Sequence, residues 1–312
     1  MNQPDYITIN GDLVPYADAK VHVLTPTVKY GALVFEGLRA YWNADHKQLY
    51  VLKLAEHLSR FHSTIRAMRF DARYSDAELT QTVLNTLSAN TVQSDVHLRL
   101  AAYVEGAALY NAKGPISLMC AAYGRGSGAL DDKAVSAGVV SWRRIGDTAM
   151  PPRLKVAANY HNARLGSLEA EANGYHEAIF LTGAGHLAEG AGSCLMMVRD
   201  GVLTTPRRTD GILESVTRRA ILDIARALGI ETEERAIDRS ELYFASEVFF
   251  CGTGVEITPV TSVDRIEIGD GTVGPVTRRL WSRYEANARG TGAEARDWCT
   301  AVYNRNGGAH GE

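Results

Sequence analysis

The first 123 residues alternate between apolar runs of two-residue period and longer stretches of helical spacing. Asn10-Gly11 separates the first two runs, and this dipeptide is typical of a type I′ hairpin turn. The pattern predicts strands over residues 6–9, 12–15, 34–42, 48–53, 96–104 and 116–123, and helices over 54–68 and 76–89. Strands on both sides of two helices indicate an α+β domain with an antiparallel sheet.

Residues 124–133 (GRGSGALDDK) break this pattern with glycine and charge, which predicts a connection between two domains. Downstream, the pattern predicts strands over residues 135–141, 177–181, 193–198, 248–251 and 256–260, and helices over 161–173, 214–228 and 276–288. The predicted domains are residues 1–123 and 134–312, and we expect residues 306–312 to be frayed.

Composition narrows the partners of the chain. A length of 312 residues favours two domains, and a net charge of −3 with dispersed basic residues argues against nucleic acid or an anionic membrane as the main partner. Four cysteines occur singly, and the N-terminus lacks the basic and apolar regions of a signal peptide. We therefore expect a cytoplasmic protein that acts on small molecules.

Several common catalytic motifs are absent from the sequence. It has no H-E-x-x-H or paired-cysteine spacing for zinc, no G-x-x-x-x-G-K-[ST] loop and no G-x-S-x-G elbow. No G-x-G-x-x-G motif follows the first strand either. This pattern disfavours metal hydrolysis, P-loop chemistry, serine hydrolysis and dinucleotide binding, and we predict no metal site.

Lys155 is the last of seven lysines, and sixteen arginines but no lysine follow it. It lies among small residues, where an amine can be desolvated. A lysine amine can lower its pKa and attack an aldehyde, whereas a guanidinium stays protonated. Lys155 is therefore the candidate covalent catalyst. The alternative is that coding bias explains the arginines and that Lys155 is an ordinary solvated charge.

Three further segments could hold a phosphate and a heterocycle. Val216 and Thr217 stand at the start of a predicted helix, where free amides bind anions. Residues 251–255 (CGTGV) form a glycine-rich turn after a buried strand. Glu189 precedes another glycine-rich turn, and a carboxylate there could pair with a protonated ring nitrogen. Each segment, taken alone, also fits a plain turn or helix start.

Seven segments in order carry a resemblance to a known family. They are residues 30–41 (YGALVFEGLRAY), 56–60 (EHLSR), 155–160 (KVAANY), 174–178 (GYHEA), 189–192 (EGAG), 217–218 (TR) and 252–260 (GTGVEITPV). Together they resemble the fold type IV pyridoxal-phosphate enzymes, and among these the branched-chain amino acid aminotransferases. The match runs from about residue 5 to 290. It implies a two-domain fold like that of D-amino acid aminotransferase, in which a smaller N-terminal and a larger C-terminal domain hold the cofactor at their interface.

The resemblance implies a role for each matching residue. Lys155 would form the Schiff base with pyridoxal 5′-phosphate and carry the proton, while Glu189 would pair with the ring nitrogen and Tyr160 with the phenolic oxygen. The phosphate would be bound by Arg60, Val216, Thr217 and Thr253. The amides of Thr253 and Gly254 would receive the substrate carboxylate, and the substrate side would be lined by Tyr30, Phe35, Arg39 and Arg99. The reaction would be a ping-pong transfer of an amino group between an amino acid and a 2-oxo acid.

The substrate side departs from the family pattern. His97-Leu98-Arg99-Leu100 stands where the family has Tyr-x-Arg-Pro, and residues 122–128 (AYGRGSG) lack the usual aromatic pair. Arg125 in this stretch could favour an acidic or polar substrate, or it could be a solvated linker charge. Ser215 replaces a glycine before the phosphate-binding pair, and Cys194 replaces an asparagine near Glu189.

These departures leave other activities open. Within the fold, the alternatives are a D-amino acid or (R)-amine transaminase and an aminodeoxychorismate-lyase-like enzyme; outside it, a binding module that has kept the fold. Residues 105–110 (EGAALY) loosely resemble the loop by which a neighbouring subunit completes the family's site. We therefore expect at least a homodimer.

Overall fold

A computed structural model of the protein describes residues 3–303. The first seven-stranded sheet contains β1 (Tyr6–Ile9), β2 (Asp12–Pro15), β3 (Leu33–Asn43), β4 (Gln48–Leu52), β5 (Val96–Val104), β6 (Ile116–Gly124) and β16 (Cys299–Ala301). The second contains β7 (Val135–Arg143), β8 (Glu177–Leu181), β9 (Leu187–Gly190), β10 (Cys194–Arg199), β11 (Val202–Thr205), β12 (Thr232–Glu234), β13 (Glu247–Gly252), β14 (Glu256–Val263) and β15 (Ile266–Glu267). The helices are α1 (Pro26–Tyr30), α2 (Leu54–Ala67), α3 (Asp76–Ala89), α4 (Tyr160–Ala172), α5 (Val216–Ala227), α6 (Pro275–Ala288) and α7 (Ala295–Trp298).

The first sheet is antiparallel throughout and has the order β16-β4-β3-β5-β6-β1-β2. The predicted hairpin is present, and both Asn10 (φ 52°) and Gly11 (φ 93°) have the positive φ that a type I′ turn needs. Helices α2 and α3 cover one face through buried side chains such as Leu58, Phe61 and Leu79. This packing fixes α2, which carries Arg60 and His57, against β3.

The second sheet mixes parallel and antiparallel pairs and closes on itself. Its order runs β12-β11-β10-β13-β14-β7-β8-β9, and β9 pairs again with β10, so six strands form a ring. The interior of the sheet includes Ile179, Leu195 and Phe250. Helices α5 and α6 pack on the outside, where Ile221 and Leu280 are fully buried.

Each predicted element is present, and all of the predicted ends but one lie within two residues of the observed ones. Two differences concern the predicted domains. β16 pairs with β4, so the last described strand belongs to the first sheet. A backbone bond from Phe35 N to Lys155 O (3.0 Å) and a bridge between Val34 and Val156 also join the two parts. The division at residues 124–133 stays a prediction, and the tail 306–312 lies outside the described residues.

Serine and proline explain where three helices begin. Ser75 and Glu78 form a reciprocal capping box at α3, and the Ser215 hydroxyl accepts the Arg218 amide at α5. Pro275 is the first residue of α6. In the described part of the chain, no helix has both the length and the apolar character that crossing a bilayer requires.

Candidate active site

Lys155 lies beside β3, between the two sheets, and its amine faces a cavity of about 250 Å³. The Nζ atom donates a hydrogen bond to the Tyr160 hydroxyl at 2.9 Å and lies 4.9 Å from the centre of the Phe35 ring. Tyr160 begins α4, and its ring packs against Phe35 with centroids 5.1 Å apart. The backbone bond from Phe35 to Lys155 and this ring contact hold the amine in one place.

Glu189 lines the same cavity from β9 and is 4% exposed. Its carboxylate pairs with Arg144 Nη2 (2.7 Å) and accepts the Leu213 amide (3.1 Å). The Cys194 thiol lies 3.8 Å away, because Cys194 is its partner across the β9–β10 pair. Burial raises the pKa of Glu189 more than Arg144 lowers it. A carboxylate in this setting is well placed to stabilise a positive charge in the cavity.

Arg60 is held by a buried carboxylate behind the cavity wall. Glu36, which is 0% exposed, accepts Arg60 Nε and Nη2, each at 2.7 Å, and His57 Nδ1 at 2.7 Å. The third nitrogen of Arg60, Nη1, donates to the Glu214 carbonyl oxygen at 2.9 Å. Burial alone would raise the pKa of Glu36, but Arg60 and His57 outweigh it and lower the pKa to about 2. Glu36 is therefore ionised and fixes the Arg60 guanidinium.

The start of α5 lies next to the turn between β13 and β14. The Thr217 hydroxyl is 3.3 Å from the Thr253 hydroxyl, which in turn is 3.4 Å from His57 Nε2. Ser215 caps the helix through Arg218, and the first amides of a helix have no partner within it. Thr253 lines the main cavity, whereas Val216 and Thr217 line a small gap beside it that Thr253 also borders. Amides and hydroxyls thus converge at this end.

His97, Arg99 and Arg125 form a further part of the cavity lining, and His97 and Arg125 lie beside Gly254. The Arg99 guanidinium lies 4.0 Å from the centre of the Phe35 ring, and a Cβ atom at Gly254 would be 3.7 Å from Arg125 Nη1. Burial, followed by Arg99 and Arg125, lowers the pKa of His97 to about 3, so its ring is neutral. Within residues 3–303, the guanidinium groups of Arg99 and Arg125 make no hydrogen bond or ion pair with a side chain.

A side chain at position 37 would crowd the His97 ring. A Cβ atom there would lie 3.0 Å from both Cε1 and Nε2 of the imidazole. Gly37 stands opposite Arg99 in the β3–β5 pair, and His97 stands opposite Arg39. The His97 imidazole therefore packs directly against the backbone of β3 at Gly37.

Two residues assigned to the substrate side by resemblance lie elsewhere in this structure. Tyr30 is 47% exposed, and its ring makes an edge contact with Tyr110 at 6.3 Å. Arg39 is 1% exposed and donates to Ser127 (2.8 Å) and Glu256 (3.1 Å). Neither residue lines the cavity, so the structure gives no contact that supports their predicted roles.

Glu256 ties the segment 124–133 to the cavity. Its buried carboxylate accepts Arg39, the Ser127 hydroxyl at 2.7 Å and the Lys133 amine. Glu256 directly follows the turn that contains Gly254, and its own φ is 59°. Because Ser127 and Lys133 are both bound to Glu256, the chain between them is anchored. Arg125, which lines the cavity, lies two residues before this anchor.

The structure brings together most of the predicted site residues. The cavity is lined by Arg60, Lys155, Tyr160, Glu189, Thr253, Phe35, His97, Arg99, Arg125 and Gly254. No sequence signal marks Arg144, which pairs with Glu189. Glu36 and His57 lie inside two of the quoted segments, 30–41 and 56–60. The charge of Glu36 within an apolar strand, and the position of His57 one turn before Arg60, could have marked them.

The charge of the cavity fits pyridoxal phosphate. Its lining includes five cationic side chains, Arg60, Arg99, Arg125, Arg144 and Lys155, but among the described residues only one carboxylate, Glu189. Glu36, which does not line the cavity, compensates the positive charge of Arg60. The excess of positive charge matches a ligand with a phosphate and a carboxylate, while the Glu189 carboxylate in the cavity wall could stabilise a cationic ring.

The fold and this site define an aminotransferase of class IV. Residues 33–263 match the family model of the class IV amino-transferases. The chain belongs to that family. It is 38% identical over 307 residues to a probable branched-chain-amino-acid aminotransferase of Aquifex aeolicus, covering 96% of this chain and 98% of the relative. It is also 38% identical over 283 residues to the branched-chain-amino-acid aminotransferase of Escherichia coli K12, covering 88% and 90% of the two chains.

Solved structures agree with this assignment. The branched-chain aminotransferase of Thermoproteus uzoniensis with norvaline superposes with a TM-score of 0.91 at 37% identity and covers 96% of this chain and 100% of its own. The Thermobaculum terrenum enzyme in its pyridoxal-phosphate form gives 0.91 at 36% identity, with 97% and 100% covered. The predicted family, fold class and pyridoxal-phosphate-dependent transaminase activity are confirmed.

Proposed function

We propose that the chain transfers the amino group between a branched-chain amino acid and a 2-oxo acid. The position of Lys155 is the observation that carries this proposal. Its amine lies 2.9 Å from the Tyr160 hydroxyl, in a cavity with Glu189 on one side and convergent phosphate donors on another. The names of the relatives, which are branched-chain-amino-acid aminotransferases over nearly the whole chain, support the substrate class.

The proposed roles follow from these contacts. Pyridoxal phosphate, when bound, supplies the electron sink that makes the substrate Cα–H bond acidic. Lys155 Nζ would hold the cofactor and carry the proton, since a free amine can act as a general base. Tyr160 orients that amine, and Glu189 would stabilise a cationic ring nitrogen. Arg60, the amides of Val216 and Thr217, and the turn at Thr253 would hold the phosphate.

The substrate side must receive two kinds of substrate in turn. Amides at Thr253 and Gly254 would bind the α-carboxylate that every substrate carries. A branched aliphatic chain would pack on Phe35, whereas the second carboxylate of a dicarboxylic partner would pair with Arg99 and Arg125. Another branched-chain amino acid aminotransferase, 35% identical to this chain, was solved both as a complex with N-(5′-phosphopyridoxyl)-L-glutamate and as a complex with 4-methylvaleric acid. One of these ligands is acidic and the other is branched.

We also propose a cytoplasmic homodimer. Exposed apolar side chains cluster on α1, the segment before it and the 105–110 loop: Val23, Leu24, Val28, Tyr30, Leu109 and Tyr110. The edge contact of Tyr30 with Tyr110 joins the helix to the loop. A group of exposed apolar side chains of this kind suits contact with a second copy of the chain. Light scattering of the wild type and of Tyr110→Glu tests this, and a monomeric wild type would refute it.

Half-reactions test the activity directly. The purified protein with pyridoxal phosphate should be yellow, and borohydride should fix the cofactor on Lys155, as peptide mass spectrometry would show. L-leucine, L-isoleucine and L-valine should each bleach the absorbance and release their 2-oxo acids. D-alanine and an (R)-arylamine serve as controls. Bleaching by these controls alone, or pyruvate release without amino transfer, would refute the proposed substrate class.

A further inference from the structure

Glu36, His57 and Thr253 form a chain of hydrogen bonds behind the phosphate end of the cavity. Glu36 Oε2 is 2.7 Å from His57 Nδ1, and His57 Nε2 is 3.4 Å from the Thr253 hydroxyl oxygen. Thr253 is in turn 3.3 Å from the Thr217 hydroxyl. Glu36 is 0% and His57 2% exposed, so bulk solvent does not supply the missing donors or acceptors.

The direction of each hydrogen bond follows from the chemistry of its ends. An ionised carboxylate only accepts, so His57 Nδ1 must carry the hydrogen that Glu36 receives. His57 is fully buried, and burial lowers its pKa despite the Glu36 carboxylate, so the ring is neutral. A neutral imidazole has one N–H, which leaves Nε2 as an acceptor. The Thr253 hydroxyl must therefore donate to it.

We propose that His57 is a positioning residue that binds the hydroxyl hydrogen of Thr253, so that Thr217 supplies the hydroxyl donor to the cofactor phosphate. A hydroxyl has a single hydrogen, and that of Thr253 is committed to His57. Thr253 then offers an anion only its backbone amide. The Thr217 hydroxyl donates to Thr253 when no anion is present and is free to turn toward a phosphate. The phosphate part of this inference rests on the cofactor site described above, whereas the His57 tautomer does not.

Nitrogen NMR measures the tautomer without any turnover. Protein labelled with ¹⁵N-histidine should show His57 Nδ1 protonated and Nε2 bare, both in the cofactor-free protein and in the holoenzyme. His57→Asn identifies the signals by their loss. Asparagine can still donate to Glu36 from the Nδ1 position but does not reach Thr253. A protonated Nε2 in either form would overturn the proposal, and this result would be independent of the substrate.

Two isosteric variants separate the roles of the threonines. Thr217→Val should raise the dissociation constant for pyridoxal phosphate roughly 10- to 100-fold, the cost of a hydrogen bond to an ion. Thr253→Val should raise it less, because its amide remains, but should lower the melting temperature of the cofactor-free protein more than Thr217→Val does. The reverse order in both measurements would contradict the proposal.

A double-mutant cycle tests the contact between His57 and Thr253. In the cofactor-free protein at matched concentration, the effects of His57→Asn and Thr253→Val on unfolding should be clearly non-additive. The control pairs His57→Asn with Thr8→Val, a buried threonine whose hydroxyl contacts Thr86 at 2.6 Å in another part of the fold. That pair should be additive. If the effects were additive in both cycles, His57 would contribute only by packing, and the proposal would be refuted.

Discussion

The two ends of the cavity differ in how their charged side chains are held. At the proposed cofactor end, Arg60 is bound by the buried Glu36, and Glu189 by Arg144, whose side chain is 8% exposed. At the proposed substrate end, Arg99 and Arg125 make no ion pair with any residue in the described range 3–303. With these roles, a ligand that stays bound through the reaction would meet groups already fixed in place, and substrates that alternate would meet charges left free.

This difference has a physical reason. Ordering a charged group in advance lowers the cost of binding, provided the protein compensates its charge while the ligand is absent. Unpaired guanidinium groups repel one another less when solvent reaches them, and Arg125 is exposed to solvent. Glu36, in contrast, is fully buried, so its charge needs a partner within the protein. A free charge also tolerates an apolar substrate, because no internal ion pair has to be broken or made.

Lys155 should give the largest effect, since it is the only lysine among the described residues that lines the cavity. Lys155→Ala and Lys155→Arg should each lower kcat by at least roughly 10⁴-fold, because neither side chain can act as a neutral amine base. Steady-state transamination of L-leucine measures this. Lys113→Ala, which removes an exposed lysine, is the matched control. Substantial turnover in Lys155→Arg would disprove the assigned role.

Glu189→Gln tests the carboxylate of the cofactor end. The amide keeps the shape and can accept the Leu213 N–H, but it cannot stabilise a cationic ring nitrogen. We expect kcat to fall roughly 10²- to 10³-fold, while pyridoxal phosphate still binds. Stopped-flow half-reactions separate the two effects. A variant that loses cofactor binding but keeps its rate when saturated would show that Glu189 acts only in binding.

Glu36→Gln tests whether the cofactor end depends on buried compensation. The substitution leaves Arg60 buried without a counter-charge, which should cost about 3 kcal/mol of unfolding free energy. Glu294→Gln is the control, because Glu294 pairs with Arg283 at 2.8 Å in a partly exposed position and should cost under about 1 kcal/mol. Chemical denaturation of both variants measures the contrast. Equal losses would remove the distinction between the buried and exposed pairs.

The same variant has a defined pH dependence. Because the folded-state pKa of Glu36 is about 2, well below its ordinary 4.5, ionised Glu36 stabilises the native state above pH 4.5. That contribution is lost as pH falls from 4.5 toward 2. The stability difference between wild type and Glu36→Gln should therefore be constant near neutrality and shrink across this window. A difference that grows on acidification would contradict the pKa direction.

Much of the fold and the cofactor end could be predicted from the sequence. The spacing of apolar residues and the turn residues mark the individual strands and helices. Lys155, Tyr160 and Glu189 lie in continuous motifs that can be recognised without a structure. Arg144 could not be predicted as the partner of Glu189, because Arg144 directly follows β7 whereas Glu189 lies on β9, and β8 stands between these strands in the sheet. The same holds for Arg39: its pairing with Glu256 joins residues 217 positions apart and directs it away from the cavity.

The smallest expected effect concerns Arg125, the residue whose role the sequence left most open. Arg125→Leu should lower kcat/KM for 2-oxoglutarate roughly 10- to 30-fold, because a partly solvated charge-assisted hydrogen bond is lost. The value for 4-methyl-2-oxopentanoate should change by less than about threefold, since its side chain carries no charge. Arg164→Leu, which removes an exposed guanidinium on α4, controls for long-range attraction of anions. Equal losses for both 2-oxo acids would mean that Arg125 serves the shared α-carboxylate, and the contrast between the two ends would then rest on Arg99 alone.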